Sequence, residues 1–275
     1  MMVRTAVILT VYNRKEITLQ GLRSLSKAIE VLGEDYTFDI YMTDDGCTDG
    51  TSEAVVKEFP DVHIIQGDGK LYWSGGMRKA WKATKDSGIN YDYYLWFNDD
   101  VNLYDNALMT MFNAIKKGEN GVVITGAFCD KNGKPSYGGK TCSEEILAPN
   151  GECLKVNKMN GNLVLIPAAI YNVVGSIDQT FKHGYGDYDY GFRVQRKGYE
   201  VLLSPQYVGI ANRHDEDAWK FFQKCYPLKK RLLILHDPKN TPFTTFLFEY
   251  KYYGLLRAIK TFIWLYFYTV FPKYN

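Results

Sequence analysis

The first 128 residues alternate short apolar, β-branched runs with segments of helical periodicity, and this alternation constrains the fold more than any other feature. Residues 3–10 form a continuous run of the kind found in buried strands, and Leu22, Leu25, Ile29 and Leu32 then recur at helical spacing. Further strands are predicted at 38–42, 62–65, 93–97 and 122–128. Strands that alternate with helices predict an α/β fold with a mostly parallel, doubly wound sheet and helices on both faces.

Beyond residue 128 the alternation is less regular. Residues 130–160 are rich in Gly, Lys and Asn and predict a long excursion, followed by strands at 163–166 and 201–203 and helices at 167–174 and before Gly198. We therefore predict an α/β domain over residues 1–219, with halves at 1–128 and 129–219, and a helical extension over 220–275.

Charge and aromatic content divide the chain at the same place. Residues 220–275 carry a net charge of +8, whereas residues 1–219 carry −6, so the total of +2 conceals an acidic body and a basic tail. Residues 243–275 also hold 13 of the 42 aromatic side chains. Aromatic residues interrupted by Lys and Arg predict a helix at a membrane interface. The alternative is a helix that packs on the body or on a second subunit of a homodimer. Nucleic-acid binding is disfavoured because no RNA- or DNA-binding motif accompanies the charge.

Composition excludes several other classes. With 46% hydrophobic and 23% charged residues the chain is expected to fold. The five cysteines are odd in number and lack CxxC spacing, which predicts reduced thiols in a cytoplasmic protein and not a disulfide or zinc framework. We recognise neither a signal peptide nor a transmembrane segment, so localisation at the cytoplasmic face of the plasma membrane is the expectation.

Carboxylates fall at the ends of two predicted strands. Asp44 and Asp45 follow the second strand, and Asp99 and Asp100 follow the fourth. In doubly wound sheets ligands bind at the carboxyl ends of strands. Hard oxygen donors such as those of residues 98–100 suit Mg²⁺ or Mn²⁺ together with phosphate oxygens. The alternative for residues 98–100 is a turn that caps the next helix, and the alternative for Asp44 is an Asx turn at the strand end.

Six segments in a fixed order resemble glycosyltransferase family 2, which has the GT-A fold, and within it a bacterial rhamnosyltransferase-like branch. The segments are Thr-Val-Tyr-Asn-Arg at 10–14, Asp-Asp-Gly-Cys-Thr-Asp-Gly-Thr at 44–51, Asp-Gly-Lys-Leu-Tyr-Trp-Ser-Gly-Gly-Met-Arg at 68–78, Asn-Asp-Asp-Val at 98–101, Asn-Gly-Asn-Leu-Val-Leu-Ile at 160–166 and Gly-Asp-Tyr-Asp-Tyr-Gly-Phe-Arg at 186–193. The resemblance covers roughly residues 3–215.

The resemblance implies a site for a nucleotide-sugar donor. Tyr12 would stack on the base, Arg14 would reach phosphate, and Asp100 would bind Mg²⁺ or Mn²⁺ with support from Asp99. His214 matches a histidine that the family often places on the metal or the diphosphate, although a structural role is the alternative. Gly75 and Gly76 would let the backbone approach the diphosphate, with a simple glycine turn as the alternative, and Arg78, at a helix start, would contact it. The residues predicted to bind the donor are Thr10, Tyr12, Asn13, Arg14, Asp44, Asp45, Trp73, Gly75, Gly76, Arg78, Asn98 and Asp99.

The resemblance also implies an acceptor side. Asp187 matches the family's catalytic position and would take the proton of the acceptor hydroxyl as general base, although Gly186 stands where the family usually has Glu. Asn160, Gly161 and Asp189 are predicted to bind the acceptor, with helix capping as the alternative for Asp189. Trp96, inside a strand, is predicted to be a core residue.

The implied activity is inverting transfer of a sugar from dTDP-rhamnose or a UDP-sugar to a hydroxyl of a saccharide or lipid-linked glycan, in bacterial surface polysaccharide synthesis. Two alternatives remain at this point. A polyprenyl-phosphate sugar transferase of the same fold would not need a strong base. A catalytically degenerate subunit would bind nucleotide or carbohydrate without turnover. Sugar-1-phosphate nucleotidyltransferases are disfavoured because residues 12–15 lack the glycine-rich loop that they require.

Overall fold

The structure, a computed structural model, describes residues 2–118, 121–212, 220–237 and 241–272. Twelve strands and nine helices are described in those ranges. The strands are β1 (Val3–Val11), β2 (Tyr36–Asp44), β3 (His63–Gln66), β4 (Tyr93–Phe97), β5 (Asn102–Leu103), β6 (Val122–Cys129), β7 (Pro135–Tyr137), β8 (Gly139–Lys140), β9 (Leu154–Lys155), β10 (Lys158–Met159), β11 (Leu163–Pro167) and β12 (Glu200–Ile210). The helices are α1 (Lys15–Leu32), α2 (Thr51–Glu58), α3 (Tyr72–Asp86), α4 (Ala107–Lys117), α5 (Ala168–Val174), α6 (Gly186–Arg196), α7 (Leu228–Leu235), α8 (Pro242–Tyr253) and α9 (Leu255–Val270).

The central sheet has the strand order β3-β2-β1-β4-β11-β6-β12-β5. The first four strands are parallel, as the alternation of strands and helices predicts. Strand β11 then pairs antiparallel with both β4 and β6, so the second half of the sheet is mixed. The predicted α/β fold class is confirmed, and the antiparallel β11 has a functional consequence. Its first residue, Leu163, pairs with Phe97, the last residue of β4.

Two apolar clusters cover the two faces of this sheet. Along β1, Val7, Leu9 and Val11 point into one cluster, whereas Ala6 and Ile8 point into the other. This division follows from the period of two of a strand. Helices α1, α2 and α4 pack on the first face, and α3, α5 and α6 pack on the second. The sheet is therefore buried on both sides, which accounts for the continuous apolar runs in its strands.

Strand β12 is longer than the sequence indicates. The predicted strand ends at Leu203, but β12 continues to Ile210 with register shifts between Leu203 and Gly209. Pro205 lies within the irregular stretch, where a residue without an amide hydrogen does not interrupt a ladder. A polar, proline-containing stretch conceals this continuation in the sequence.

The tail is helical, as predicted. Gly254, with φ of +90°, separates α8 from α9, a backbone conformation that glycine adopts without strain. Phe221, Phe222, Leu235 and Leu265 form a small apolar cluster of the tail. Across the described residues, none of the helices has the length and hydropathy needed to cross a bilayer.

Candidate active site

Four segments meet at one edge of the central sheet. Strands β1 and β4 are parallel neighbours, so residues 10–14 and 98–100 leave the sheet at the same edge. Because β11 runs antiparallel to β4, residues 160–162, which precede β11, arrive at that edge as well. The N-terminus of α6 joins them through a hydrogen bond from the Gly161 amide to the Asp187 carboxylate, at 3.0 Å. The sheet topology thus brings the predicted donor and acceptor segments together.

The end of β4 carries two carboxylates that share one guanidinium. Asp99 is fully buried, accepts a 2.6 Å hydrogen bond from the Thr18 hydroxyl and forms an ion pair with Arg14. Burial raises the pKa of Asp99 to about 6, even though Arg14 and Thr18 act against the shift. Asp100 is more open, with a side chain 22% exposed, and its Oδ2 lies 3.0 Å from Arg14 Nη1. Arg14, predicted to reach phosphate, is therefore bonded here to the two carboxylates.

The carboxylates at the end of β4 fit a divalent ion that takes most of its ligands from water and substrate phosphates. Among the described residues, no group of three or more His, Cys, Asp or Glu side chains could hold a metal by itself. Asp100 offers one partly exposed carboxylate, whereas Asp99 is enclosed by Thr18 and Arg14. Mg²⁺ commonly binds through one or two carboxylates, water and substrate phosphates. His214, the other predicted ligand, lies outside the described residues.

Asp44 and Asp45, at the end of β2, are both buried and hydrogen-bonded to protein. Asp44 accepts a bond from the Cys47 amide at 2.6 Å and another from the Ser52 hydroxyl. Burial would raise the pKa of Asp44, but these hydrogen bonds hold it below its ordinary value. Asp45 accepts bonds from the amides of Gly69, Leu71 and Tyr72, at 3.0, 3.2 and 2.9 Å. Asp45 therefore shapes the loop before α3, and its predicted contact with the donor stays a prediction.

Residues at the end of β1 form the rim of the site. The Tyr12 ring is 54% exposed, which suits the predicted stacking on a base. Asn13 has φ of +49°, and its Oδ1 accepts a 2.7 Å hydrogen bond from the Thr48 amide. Asn13 therefore joins the turns after β1 and β2.

Helix α3 begins earlier than the sequence pattern indicates, and this relocates three predicted donor residues. Gly75 and Gly76 lie inside α3 and not in a turn before it. A Cβ on Gly76 would lie 2.0 Å from the Thr10 hydroxyl oxygen, so this glycine permits α3 to pack on the end of β1. Arg78 donates to the carbonyl oxygens of Asp178 and Phe181, at 3.1 and 3.4 Å. Gly76 thus allows close packing and Arg78 bonds the segment before α6, and the predicted contact of these residues with the diphosphate stays a prediction.

Trp73 connects the donor and acceptor segments. Its indole Nε1 donates to Asn98 Oδ1 at 2.7 Å, and Asn98 Nδ2 donates to Asn162 Oδ1 at 3.0 Å. A Cβ on Gly161 would lie 2.6 Å from the Trp73 ring, so only a glycine lets the two approach. Trp96 is a fully buried neighbour of Trp73, in agreement with its predicted core position.

Asp187 lies in the first turn of α6, where backbone amides favour negative charge. Its Oδ2 accepts the Gly161 amide at 3.0 Å, and its Oδ1 accepts the Tyr188 amide at 2.8 Å. Desolvation nevertheless raises the pKa of Asp187 to about 6. The side chain keeps partial exposure to solvent. A carboxylate with this pKa can accept a proton near neutral pH.

The glycine that departs from the family pattern has a steric explanation. Gly186 is buried, and a Cβ there would lie 2.3 Å from the Ser74 hydroxyl oxygen. The preceding residue, Tyr185, has φ of +69° and begins the helix. A larger residue at position 186 would collide with α3, so this close contact fixes where Asp187 emerges.

The two other predicted acceptor residues have internal partners. Asn160 Oδ1 accepts the Gly138 amide at 3.3 Å. Asp189 is fully buried, with Arg193 Nε at 2.8 Å, Lys251 Nζ at 2.6 Å and the Tyr252 hydroxyl at 2.6 Å. Its two oxygens are thus bonded within the protein, and this arrangement favours the structural alternative over acceptor binding.

Lys251 and Tyr252 are site-supporting residues that the sequence analysis did not identify. They belong to α8, in the predicted separate extension, yet they hold the helix that carries Asp187. Lys251 also bonds Asp178 at 2.8 Å, and Phe248 stacks on Tyr185 with ring centroids 4.5 Å apart. Hydrogen bonds between α8 and α6 therefore cross the charge division at residue 219. An isolated Lys among aromatic residues could have indicated a buried partner.

Comparison with solved structures agrees with this architecture. A mannosyltransferase from Pyrobaculum calidifontis, in complex with GDP-Man and Mn²⁺, matches over 100% of this chain and 77% of its own, with a TM-score of 0.59 and 13% identity. TarS residues 1–349 from S. aureus, in complex with UDP-GlcNAc, matches over 96% and 81%, with a TM-score of 0.56 and 14% identity. GalNAc-T7 with UDP, GalNAc and Mn²⁺ matches over 95% of this chain and 53% of its own, with a TM-score of 0.58 and 14% identity. These likenesses show the GT-A fold.

A search of curated proteins by sequence finds no match. The family model described as glycosyl transferase family 2 matches residues 6–182, which include every strand from β2 to β11 and most of β1. The match contains the carboxylate-bearing ends of β2 and β4 and the Gly161 turn that bonds Asp187. The chain belongs to glycosyltransferase family 2.

Proposed function

We propose that this glycosyltransferase moves a sugar, with inversion at the anomeric carbon, from a nucleotide-sugar donor to a hydroxyl group of an acceptor glycan. The donor is dTDP-rhamnose or a UDP-sugar. The acceptor is a saccharide or a lipid-linked glycan of bacterial surface polysaccharide synthesis, met at the cytoplasmic face of the membrane. The observation that carries this proposal is the position of Asp187, whose raised pKa suits a general base and whose Oδ2 bonds the turn beside Trp73.

In the proposed reaction Asp187 accepts the proton of the acceptor hydroxyl. The hydroxyl oxygen forms a bond to the anomeric carbon from the face opposite the leaving group, and the bond from that carbon to the diphosphate breaks. The proton resides on Asp187, and the nucleoside diphosphate departs with the electron pair. A base positioned in this way contributes about 10²–10⁴ in rate.

The donor would lie across the ends of β1 and β4. Tyr12 offers an exposed ring for the base, and Asp44 and Asp45 hold the turns beneath it. A Mg²⁺ or Mn²⁺ ion held by Asp100 would neutralise charge on the diphosphate when bound. Arg14, which pairs with Asp99 and Asp100, would offer a positive charge at the same edge of the sheet.

A donor panel tests the proposal. Purified protein is incubated with labelled dTDP-rhamnose and UDP-hexoses, each with saccharide and lipid-linked acceptors, and the products are separated by mass. Wild-type protein should transfer one of these sugars, and Asp187→Asn should lower the rate by about 10²–10⁴. Asp105→Asn is the matched control and should retain activity, because the Asp105 side chain is 56% exposed and pairs with Lys27 at 2.9 Å.

Full activity of Asp187→Asn would contradict the assignment of the base. It would favour a phosphate acceptor, which requires no strong base, and hence a polyprenyl-phosphate sugar transferase. Donor binding without turnover across the whole panel would instead indicate a binding subunit.

A further inference from the structure

The outward face of α9 is apolar and uncovered. Five residues recur three or four positions apart and therefore share one side of the helix, and we call them the outer stripe. They are Leu256 (86% exposed), Ile259 (42%), Ile263 (61%), Phe267 (53%) and Val270 (40%). The opposite side carries Ala258, Leu265 and Thr269, which are buried against the protein. Helix α9 is thus anchored on one side and presents an apolar ridge on the other.

The ridge is accompanied by positive charge and aromatic rings. Lys260 is exposed on the same side of α9, between Leu256 and Ile263, and Trp264 lies beside the stripe with 41% exposure. Helix α9 has no acidic residue in its 16 positions. The neighbouring α7 likewise has none, and it exposes Lys229 and Lys230. Contiguous exposed apolar surface of this kind marks an interaction site.

These features suit an anionic bilayer better than a second copy of the chain. Helices that lie at a membrane interface combine an apolar face with Lys, Arg and Trp at its borders. In a two-fold dimer the stripe would meet itself and bring the basic residues of the two copies together without acidic partners on α9. Lysine is also depleted from the interior of protein interfaces.

We propose that α9 lies in the interface of an anionic membrane, with the outer stripe among the acyl chains and Lys260 at the level of the lipid phosphates. Helix α8 precedes α9 directly and is bonded to α6 through Lys251 and Asp189, at 2.6 Å, and through Arg196 and the Lys251 carbonyl, at 3.2 Å. Membrane docking therefore also fixes the orientation of the helix that carries Asp187.

Vesicle co-sedimentation without donor or acceptor tests this proposal independently of sugar transfer. Wild-type protein should bind vesicles of phosphatidylcholine mixed with phosphatidylglycerol more tightly than vesicles of phosphatidylcholine alone. The double variant Ile263→Glu, Phe267→Glu should bind both kinds of vesicle more weakly, by at least about tenfold for each side chain replaced. Lys260→Gln should weaken binding to the anionic vesicles by about fivefold and leave the neutral ones unchanged.

The control is Val31→Glu, which places the same charge at a 47% exposed apolar position on α1 and should bind like wild type. Circular dichroism checks that each variant is folded. The proposal is overturned if wild-type protein fails to bind anionic vesicles or if the double variant binds them equally well. It is also overturned if three results occur together: light scattering shows that the wild-type protein is a dimer, the double variant is a monomer, and neither protein binds vesicles.

Discussion

Replacing Lys251 with methionine tests whether the C-terminal helices are part of the catalytic unit. Lys251 Nζ lies 2.6 Å from Asp189 and 2.8 Å from Asp178, and Asp189 is fully buried. Removing one partner from a buried ion pair costs about 3–5 kcal/mol. In the variant Arg193 and Tyr252 would still bond Asp189, and the Lys251 side chain is 32% exposed in the wild type. We therefore expect the substitution to lower the free energy of unfolding by about 2 kcal/mol.

This loss corresponds to a melting temperature lower by about 4–8 °C for a domain of this size. Thermal unfolding followed by circular dichroism measures it. The matched control is Lys260→Met, which removes an exposed lysine from α9 and should shift the transition by less than about 2 °C. If Lys251→Met has the same melting temperature as the wild type, the idea that α8 supports α6 is refuted.

The same variant should show a changed pH dependence. Partial burial would raise the pKa of Asp178, but hydrogen bonds from Lys251 and Thr180 lower it to about 2. A carboxylate with a lowered pKa stabilises the fold above its unfolded pKa, near 3.8, and this stability is lost as the pH falls towards 2. The difference in stability between wild type and Lys251→Met should therefore narrow below about pH 4.

Three further substitutions and one treatment have defined outcomes. Gly161→Ala places a methyl group 2.6 Å from the Trp73 ring and should lower kcat/KM by about tenfold or more, as a donor-titration series would show. Gly21→Ala directs a methyl group at the Asp99 carbonyl oxygen, 2.4 Å away, and should cost about 1–3 kcal/mol in urea unfolding, whereas the exposed Gln20→Ala on the same helix should be neutral. EDTA should abolish transfer, and Asp100→Asn should raise the Mn²⁺ concentration for half-maximal activity by about tenfold or more; unchanged activity in EDTA would exclude the metal role of Asp100.

The sequence was sufficient to predict the edge of the sheet at which the site forms. Strand ends are local features. Asp44 ends β2 and Asp100 follows shortly after β4, so the parallel order β2-β1-β4 places both at one edge of the sheet. Family resemblance added Asp187, which lies on a helix and would not have been found from strand periodicity.

Partners distant along the chain could not be predicted. Arg14 pairs with Asp99 and Asp100 across about 85 residues, and Asp189 pairs with Lys251 across 62. Charge counts treat such residues as solvent-exposed, whereas the fold buries Asp99 and Asp189 completely and pairs each of them with a partly exposed cation. The start of α3 was missed for a related reason, since the Gly75-Gly76 pair indicates a turn locally, whereas both residues lie inside the helix and Gly76 serves close packing on Thr10.

The pH dependence of kcat/KM for sugar transfer tests the central claim most directly. Desolvation raises the pKa of Asp187 to about 6, and only the ionised carboxylate can accept the acceptor proton. We expect kcat/KM to rise with pH through an apparent pKa of about 6, and Asp187→Asn to remove this rise together with most of the activity. A wild-type profile that is flat between about pH 5 and 7, or an unchanged rise in Asp187→Asn, would contradict it.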